Sequence, residues 1–267
     1  NNLIDLHNHV LPGIDDGSKS LEISLNMLRC AADQGITDVV NTVHLQHPKV
    51  DDKITYQLVS EATIRLQEEL DNRDIPIILH IGSEVFFLPN LTDIKSNQLS
   101  TIGDGKYMLI EFQFHYIPEV HRQVLFDLKI GGVTPIIAHP ERYKAVQEDT
   151  KLVYYWLNAG CLIQIDAGSL LGLFGKSAKQ AAEEIIKNNY CHILGSDAHD
   201  DRKRNFCLKD AYNIAQNLIG DDARLMVFDN PRAVLAGKPI KVDFEIMREK
   251  IPSLWEKYFK RYIKRFF

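Results

Sequence analysis

The stretch Leu6-His-Asn-His-Val-Leu-Pro-Gly-Ile-Asp-Asp-Gly17 places two histidines one residue apart, followed by Pro-Gly and two adjacent aspartates. The preceding run, Leu3-Ile-Asp-Leu6, predicts a short strand, and Pro-Gly predicts a turn. Residues i and i+2 of an extended chain point to the same side, so His7 and His9 would project together from the strand end. The pair either binds Zn, Mn or Fe with a nearby carboxylate, or caps a barrel end while the aspartates stabilise a turn.

The composition is typical of a globular protein. The chain has 267 residues, of which 45% are hydrophobic and 25% charged, and this size suits a single α/β barrel. The net charge of −5 argues against a general nucleic-acid-binding function, because a basic surface supplies most of that affinity. No apolar run approaches the roughly 20 residues of a membrane-spanning helix. The N-terminal residues show no basic region followed by an apolar stretch, so we expect no secretory signal.

The cysteines are far apart and include no CxxC pair, which favours a reducing, cytoplasmic environment. They also exclude one class of phosphatase, in which a nucleophilic cysteine is followed six positions later by an arginine. The residues six positions after Cys30, Cys161, Cys191 and Cys207 are Ile36, Ala167, Asp197 and Asn213.

Short apolar runs alternate with longer amphipathic segments, a pattern that predicts parallel βα units. The predicted strands are Leu3–Leu6, Asp38–Val43, Ile77–Ile81, Tyr107–Ile110, Val133–Ala138, Leu162–Ile165 and His192–Gly195. The predicted helices are Leu21–Gln34, Ile54–Asn72, Val120–Lys129, Lys151–Asn158, Ala178–Asn188 and Leu208–Leu218.

Metal-ligating residue types recur at the end of each predicted strand. In a (β/α) barrel these strand ends meet at one face, where enzymes of this fold place their sites. The strand ends therefore favour the metal-binding interpretation of the opening motif. The residues concerned are His7, His9, His44, Glu84, Glu111, His139, Asp166, Asp197 and His199.

So many ligands exceed what one ion needs, and we expect two or three ions that share a bridging carboxylate. Imidazoles and carboxylates without thiolate favour Mn, Fe, Zn or Co. Such ions make hydroxide available as a nucleophile and screen the oxygens of a phosphoryl group. Arg142 and Arg204 lie in loops at the same face, and a guanidinium matches phosphate bidentately. An ordinary surface charge is the alternative for each arginine.

Other histidines are not expected to be ligands: His47, His80, His115, His121 and His192. For Asp166 two roles remain open, as a ligand or as a group that orients a ligand.

Five stretches in the chain resemble the PHP superfamily: IDLHNHVLPGIDDG, LIEF, AHPERY, DAGSLLGLFG and GSDAH. More narrowly, they resemble the bacterial metal-dependent protein-tyrosine phosphatases of capsule and exopolysaccharide operons (the CpsB/YwqE type). The resemblance runs in order from about residue 3 to Pro239. One departure is Thr42-Val43-His44, where the family usually has Thr-Pro-His.

The resemblance implies a distorted seven-stranded (β/α) TIM-like barrel with up to three metal ions, usually manganese, with iron, cobalt or zinc as alternatives. It implies phosphotyrosine on a partner bacterial tyrosine kinase as the substrate, and Arg142 and Arg204 as the residues on the phosphate. By motif, the metal ligands would be His7, His9, Glu84 and Asp197 for one ion; Glu84, Glu111 and His139 for a second; and Asp16, His44 and His199 for the third.

Two other functions remain as alternatives. One is a PHP-type small-molecule phosphomonoesterase, such as a histidinol-phosphate phosphatase, and the other is a non-catalytic protein that docks a kinase or a membrane. We expect one barrel domain over residues 1–245 and a basic amphipathic helix over 246–267, with a capping box at Ser253 and Glu256. The aromatic face of that helix either packs on protein or lies on an anionic membrane. The expected location is the cytoplasm, with the inner face of the membrane as the alternative.

Overall fold

Seven parallel strands form one sheet in which each strand pairs with the next along the chain. The computed structural model describes residues 2–50 and 53–240, so the predicted domain boundary at residue 245 and the predicted helix over 246–267 lie outside the described residues. The strands are β1 Leu3–Asn8, β2 Ile36–Leu45, β3 Ile78–Phe86, β4 Tyr107–Glu111, β5 Thr134–Ala138, β6 Leu162–Asp166 and β7 Ile193–Gly195.

The first and last strands approach each other at their carboxyl ends. The backbone N–H of His9 donates to the carbonyl of Ala198 at 2.8 Å, and the N–H of Asp197 donates to the carbonyl of His7 at 2.7 Å. A parallel bridge also joins Asn8 to Ala198. The sheet is therefore a nearly closed barrel, which confirms the predicted fold class.

Ten α-helices surround the barrel within the described residues, and none of them is long and apolar enough to cross a membrane. They are α1 Leu21–Asp33, α2 Tyr56–Asp71, α3 Leu91–Ile94, α4 His121–Ile130, α5 Lys144–Glu148, α6 Lys151–Asn158, α7 Ala167–Leu171, α8 Lys176–Lys187, α9 Leu208–Ile219 and α10 Asp229–Leu235. Two 3₁₀ segments span Pro140–Arg142 and Gly220–Met226.

Local sequence explains where the longer helices start. The side chain of Ser20 accepts a hydrogen bond from the N–H of Ile23, and that of Thr55 accepts one from the N–H of Leu58. Each hydroxyl satisfies one N–H that the first helical turn cannot pair internally. Helices α1 and α2 therefore begin directly after these residues.

The predictions missed some boundaries and the shortest helices. Strands β2 and β3 continue beyond the predicted ends, and backbone pairing aligns His44 with Glu84, so these residues lie within the strands instead of after them. This pairing also fixes the backbone at Val43, the position where the family that the chain resembles usually has a proline. Helices α3, α5, α7 and α10 were not predicted, because four to seven residues are too few to show helical periodicity.

Apolar side chains fill two regions. A large cluster lies between the sheet and the helices, and a smaller one joins strand residues such as Ile4, Leu109 and Ile136 to Val234 of α10. The segment around α10 covers the amino-terminal end of the barrel, because the N–H of Ile4 donates to the carbonyl of Val227 at 3.0 Å. The predicted metal-binding histidines and carboxylates lie at the opposite end of the barrel, where the strands have their carboxyl ends.

Candidate metal centre

Histidine and carboxylate side chains converge at the carboxyl ends of the strands. Eight of the nine predicted ligands are buried, and only Asp16 is exposed, with 57% of its side chain accessible. The structure brings all nine to this end: His7, His9, Asp16, His44, Glu84, Glu111, His139, Asp197 and His199.

The central group consists of His7, His9, Glu84 and Asp197. His7 Nε2 lies 3.2 Å from Glu84 Oε2 and 3.4 Å from Asp197 Oδ1, and His9 Nε2 lies 3.4 Å from each of the same two oxygens. Ligand atoms bound at about 2.1 Å to a tetrahedral ion are about 3.4 Å apart. The spacing therefore suits coordination of one ion.

Two further groups adjoin the central one. In the first, His44 Nε2 and His199 Nε2 lie 3.3 and 3.4 Å from Asp16 Oδ1, with His9 close by. The second joins His44, Glu84 and Glu111. Within it, His44 Nδ1 lies 3.4 Å from Glu84 Oε2.

His139 lies against the second group through the other oxygen of Glu84. Its Nε2 lies 2.9 Å from Glu84 Oε1 and 3.8 Å from Glu111 Oε1. Glu84 thus faces all three groups of side chains, as a bridging carboxylate would.

Hydrogen bonds orient three imidazoles with Nε2 towards the centre. Nδ1 of His7 donates to Gln164 Oε1 at 2.8 Å, and Nδ1 of His199 donates to the carbonyl of Asp197 at 2.9 Å. Nδ1 of His9 donates to Asp15 Oδ2 at 2.8 Å. With the rings neutral, as metal binding requires, these hydrogen bonds leave a lone pair on each Nε2.

The buried acceptors of the central group test whether a metal fits. Nε2 of His7, Nε2 of His9 and Asp197 Oδ1 have no hydrogen-bond partner among residues 2–50 and 53–240. Lone pairs that are buried and unpaired cost free energy, and a divalent cation between them removes that cost. The donor set therefore fits a divalent metal.

Two glycines allow the backbone to approach the histidines closely. A Cβ at Gly17 would overlap the carbonyl oxygen and Cβ of His9. A Cβ at Gly195 would lie 2.8 Å from the Cβ of His7 and 2.6 Å from Gln164 Nε2. The glycines that end the opening motif and β7 are therefore required by the packing around His7 and His9.

Two proposed ligands have left-handed backbones. The φ angle is 33° at His139 and 47° at Asp197, each just beyond a strand. Non-glycine residues adopt this region uncommonly, and such strain concentrates at functional sites.

Burial and neighbouring charges shift the pKa values in this centre. Burial, with the charges of Glu84 and Asp197, raises the pKa of the Glu111 carboxyl to about 9. Burial opposes protonation of His7, but the same two carboxylates raise its pKa to about 9. The pKa of Asp197 stays well below its usual range despite burial, because His199, His7 and Arg204 favour the charged form. Negative charge therefore concentrates at the position where cations would bind.

Both predicted arginines contact the outer oxygen of Asp197. Arg142 Nη1 donates to Asp197 Oδ2 at 2.5 Å, and Arg204 Nη2 donates to the same oxygen at 2.6 Å. Arg142 Nη1 also donates to Asp166 Oδ2 at 3.3 Å. Asp166 thus lies against an arginine and caps α7 through the N–H of Gly168 at 2.7 Å, and it belongs to none of the three ligand groups.

Sequence reasoning missed two residues that accept hydrogen bonds from proposed ligands, Asp15 and Gln164. Gln164 could have been found as the polar residue facing the ligands from the apolar run Leu162-Ile-Gln-Ile165. His47, not expected to be a ligand, stacks on His44 with 4.5 Å between the ring centroids, and its Nε2 lies 3.8 Å from Glu111 Oε2. His80 instead pairs with Asp38 at 2.9 Å.

A nearly closed parallel barrel with histidines and carboxylates at its carboxyl end is the arrangement expected of a TIM-like barrel enzyme that binds metal. The chain belongs to the CpsB/CapC family of capsular polysaccharide synthesis, whose model matches residues 3–236. It is 34% identical over 239 residues to the tyrosine-protein phosphatase YwqE of Bacillus subtilis, covering 89% of this chain and 93% of YwqE.

A solved structure of relatives supports the family assignment, and a more distant one matches in fold. The structure described as YwqE from Bacillus subtilis and CpsB from Streptococcus pneumoniae, unique metal-dependent tyrosine phosphatases, matches with a TM-score of 0.84 and 33% identity, over 90% of this chain and 96% of that one. A histidinol phosphate phosphatase from Lactococcus lactis matches with a TM-score of 0.56 and 14% identity, over 83% of this chain and 94% of that one. That second likeness shows the fold alone.

Proposed function

We propose that this chain is a metal-dependent phosphatase that hydrolyses phosphotyrosine in proteins and acts in capsule or exopolysaccharide synthesis. The observation that carries the proposal is the position of Asp197: Oδ1 faces His7 and His9 at 3.4 Å, while Oδ2 accepts from Arg142 and Arg204. One oxygen of Asp197 thus faces candidate metal ligands, and its other oxygen contacts the two arginines proposed to bind phosphate. The family and the names of the relatives support the same activity.

The metals would be held by the three groups of side chains described above, with Glu84 as the bridging ligand. We infer manganese, in up to three ions per chain, with iron, cobalt or zinc as alternatives. When bound, the ions would make hydroxide available at neutral pH and neutralise charge on the phosphoryl oxygens.

The chain's own residues position the substrate and maintain the site. Arg142 and Arg204 would bind the phosphoryl oxygens, since a planar guanidinium pairs two donors with two oxygens. Asp15 and Gln164 keep His9 and His7 in the tautomer whose Nε2 faces the centre. A tyrosine leaving group, with an ordinary pKa near 10, departs more readily as an anion than a serine alkoxide does.

The test is phosphate release from a phosphotyrosine peptide, a phosphoserine peptide and histidinol phosphate, each with and without Mn²⁺. We expect hydrolysis of the phosphotyrosine peptide that depends on the metal and exceeds hydrolysis of the other two substrates. Faster turnover of histidinol phosphate would favour the small-molecule phosphatase, and no turnover of any substrate would favour a docking protein.

We further propose a bacterial tyrosine kinase as the partner, a cytoplasmic location, and contact with the inner face of the membrane through residues 246–267. Five basic residues against one acidic residue in the segment 253–267 support contact with anionic lipid. Truncation after Pro252 is expected to abolish co-sedimentation with anionic vesicles and to leave peptide hydrolysis intact. If the full chain does not bind such vesicles at low salt, the membrane proposal is wrong.

A further inference from the structure

A cavity of about 420 Å³ is lined in part by Arg142, which lies beside the proposed metal ligands. This volume is within the range of about 300–1,000 Å³ that is usual for small-molecule pockets. Two phenylalanine rings form part of its wall, together with polar and charged side chains. The residues that matter here are Phe114, His115, Arg142, Lys144, Gln147 and Phe174.

Both rings lie against the Arg142 guanidinium. Its central carbon is 4.7 Å from the ring centroid of Phe114 and 4.3 Å from that of Phe174. Phe174 also lies 5.5 Å from the guanidinium of Arg204, and Phe114 lies 5.8 Å from the ring of His139. The rings therefore border the place where the two arginines would hold a phosphoryl group.

Packing against Gly168 holds the ring of Phe174 in place. A Cβ at Gly168 would lie 2.9 Å from Cε2 of Phe174, so the ring packs directly on the glycine of α7. Both phenylalanines remain partly exposed to solvent. An aromatic surface that is partly exposed beside a charged site offers a contact for an apolar group of the substrate.

Another cavity opens at the same end of the barrel, but it suits the substrate less well. It has about 170 Å³, is lined by His44 and His47, and includes no arginine among its described lining residues. Arg142 lines the larger cavity, so a phosphoryl group held by Arg142 would lie against that cavity, with room there for its leaving group.

We propose that Phe114 and Phe174 form a subsite for the aromatic ring of the leaving group and thereby select aryl over alkyl phosphates; this inference rests on the proposed phosphatase function. Aromatic rings that meet edge to face or offset-stacked gain attraction beyond their buried area. An aliphatic leaving group, such as that of phosphoserine or histidinol phosphate, lacks this contact.

The test compares phenylphosphonate with methylphosphonate, which share the phosphonate group and differ in the ring. Binding to the metal-loaded full chain is measured by calorimetry, so no turnover is needed. We expect phenylphosphonate to bind the wild type about tenfold more tightly than methylphosphonate. Phe114→Leu and Phe174→Leu should bring this ratio close to one, and Phe174→Tyr should retain it.

Phe126→Leu is the matched control, since it removes the same ring from a position on α4 that is 52% exposed and should leave the ratio unchanged. Metal content and circular dichroism verify that each variant is folded. A wild-type ratio near one would overturn the inference without any variant. Equal weakening of both phosphonates in the leucine variants would also overturn it, because the rings would then act only through the arginines. Failure of the phosphatase proposal would be seen separately, as no hydrolysis of the phosphotyrosine peptide by the wild type.

Discussion

Asp15 Oδ2 accepts a hydrogen bond from His9 Nδ1 at 2.8 Å, and the same oxygen accepts the backbone N–H of His44 at 3.1 Å. One carboxylate therefore orients the ring of one proposed ligand and the backbone of another. Burial raises the pKa of Asp15, but the neighbouring His9 outweighs this effect and lowers it to about 2. Asp15 is thus charged at neutral pH and is hydrogen-bonded to two proposed metal ligands.

Replacing Asp15 should weaken metal binding, although Asp15 is not itself a proposed ligand. Asp15→Ala frees the His9 ring to rotate, and loss of such an orienting partner typically costs about 10–100-fold in metal affinity. Manganese titration of the chelator-treated protein measures the change. Asp33→Ala, at an exposed position in α1, is the control and should bind as the wild type does. Equal affinities for all three proteins would contradict the role of Asp15.

Replacing Glu84 should have a larger effect than replacing Asp15, because the Glu84 carboxylate faces all three groups of proposed ligands. Glu84→Ala is expected to leave the purified protein largely without metal and without activity. Elemental analysis alongside circular dichroism separates metal loss from unfolding. A folded variant with full metal content would show that Glu84 is not a bridging ligand.

Replacing Arg204 should lower the rate of the reaction and leave metal binding unchanged. Arg204→Ala is expected to lower kcat/KM for a phosphotyrosine peptide about tenfold or more, a loss of at least about 1.4 kcal/mol of transition-state stabilisation, with metal content unchanged. Arg202→Ala is the matched control, since its side chain is 89% exposed two residues away. Wild-type kinetics for Arg204→Ala would instead indicate an ordinary surface charge.

Catalysis should depend on metal and not on a thiol. Burial raises the pKa of Cys161 and of Cys191 to about 12, so neither is a thiolate at neutral pH. EDTA is expected to abolish phosphate release, and Mn²⁺ or Co²⁺ to restore it, whereas iodoacetamide should have little effect. Inactivation by iodoacetamide with the metals still bound would disprove this mechanism.

His192 should make stability depend on pH. Burial lowers its pKa to about 4, and its Nδ1 accepts the N–H of Ile163 at 3.1 Å, which requires the neutral ring. The unfolded state, with a pKa near 6.5, binds more protons between these values. The free energy of unfolding should therefore be highest above about pH 6.5 and fall by up to about 3 kcal/mol as the pH decreases to 4.

The His192→Asn variant tests this effect, because asparagine keeps an acceptor and cannot titrate. Urea unfolding of metal-free protein at pH 4.5 and 7.5 should give a smaller difference for the variant than for the wild type. His115→Asn, at an exposed position, controls for the loss of an imidazole. An identical pH dependence in His192→Asn and the wild type would show that His192 does not contribute.

The barrel could be predicted because alternating strand and helix patterns are local signals, and because parallel strands place their carboxyl ends together. His7, His9 and Glu111 stand at or near strand ends in the sequence itself, so their proximity followed from topology. Roles that depend on distant partners were less accessible. Gln164 contacts His7 across 157 positions of sequence, and neither residue type alone indicates that hydrogen bond.

The rim of the site could not be predicted for a similar reason. Phe114 and Phe174 come from different loops, and each lies against the guanidinium of Arg142. An isolated phenylalanine in a loop carries no periodicity, and its contacts depend on how the loops pack. Short helices such as α7 were missed because one or two turns contain too few residues to show a buried face.

The last described residues lie at the end of the barrel opposite the proposed metal site. The hydroxyl of Tyr107, the first residue of β4, donates to the carbonyl of Lys238. Ile240 packs against the smaller apolar cluster, which contains Ile4 and Val234. Ile240, the last described residue, therefore lies on the far side from Asp197 and its arginines. An attachment made through the chain after Ile240 would act as a tether at the base of the barrel, leaving the opposite face free to reach a long, mobile peptide.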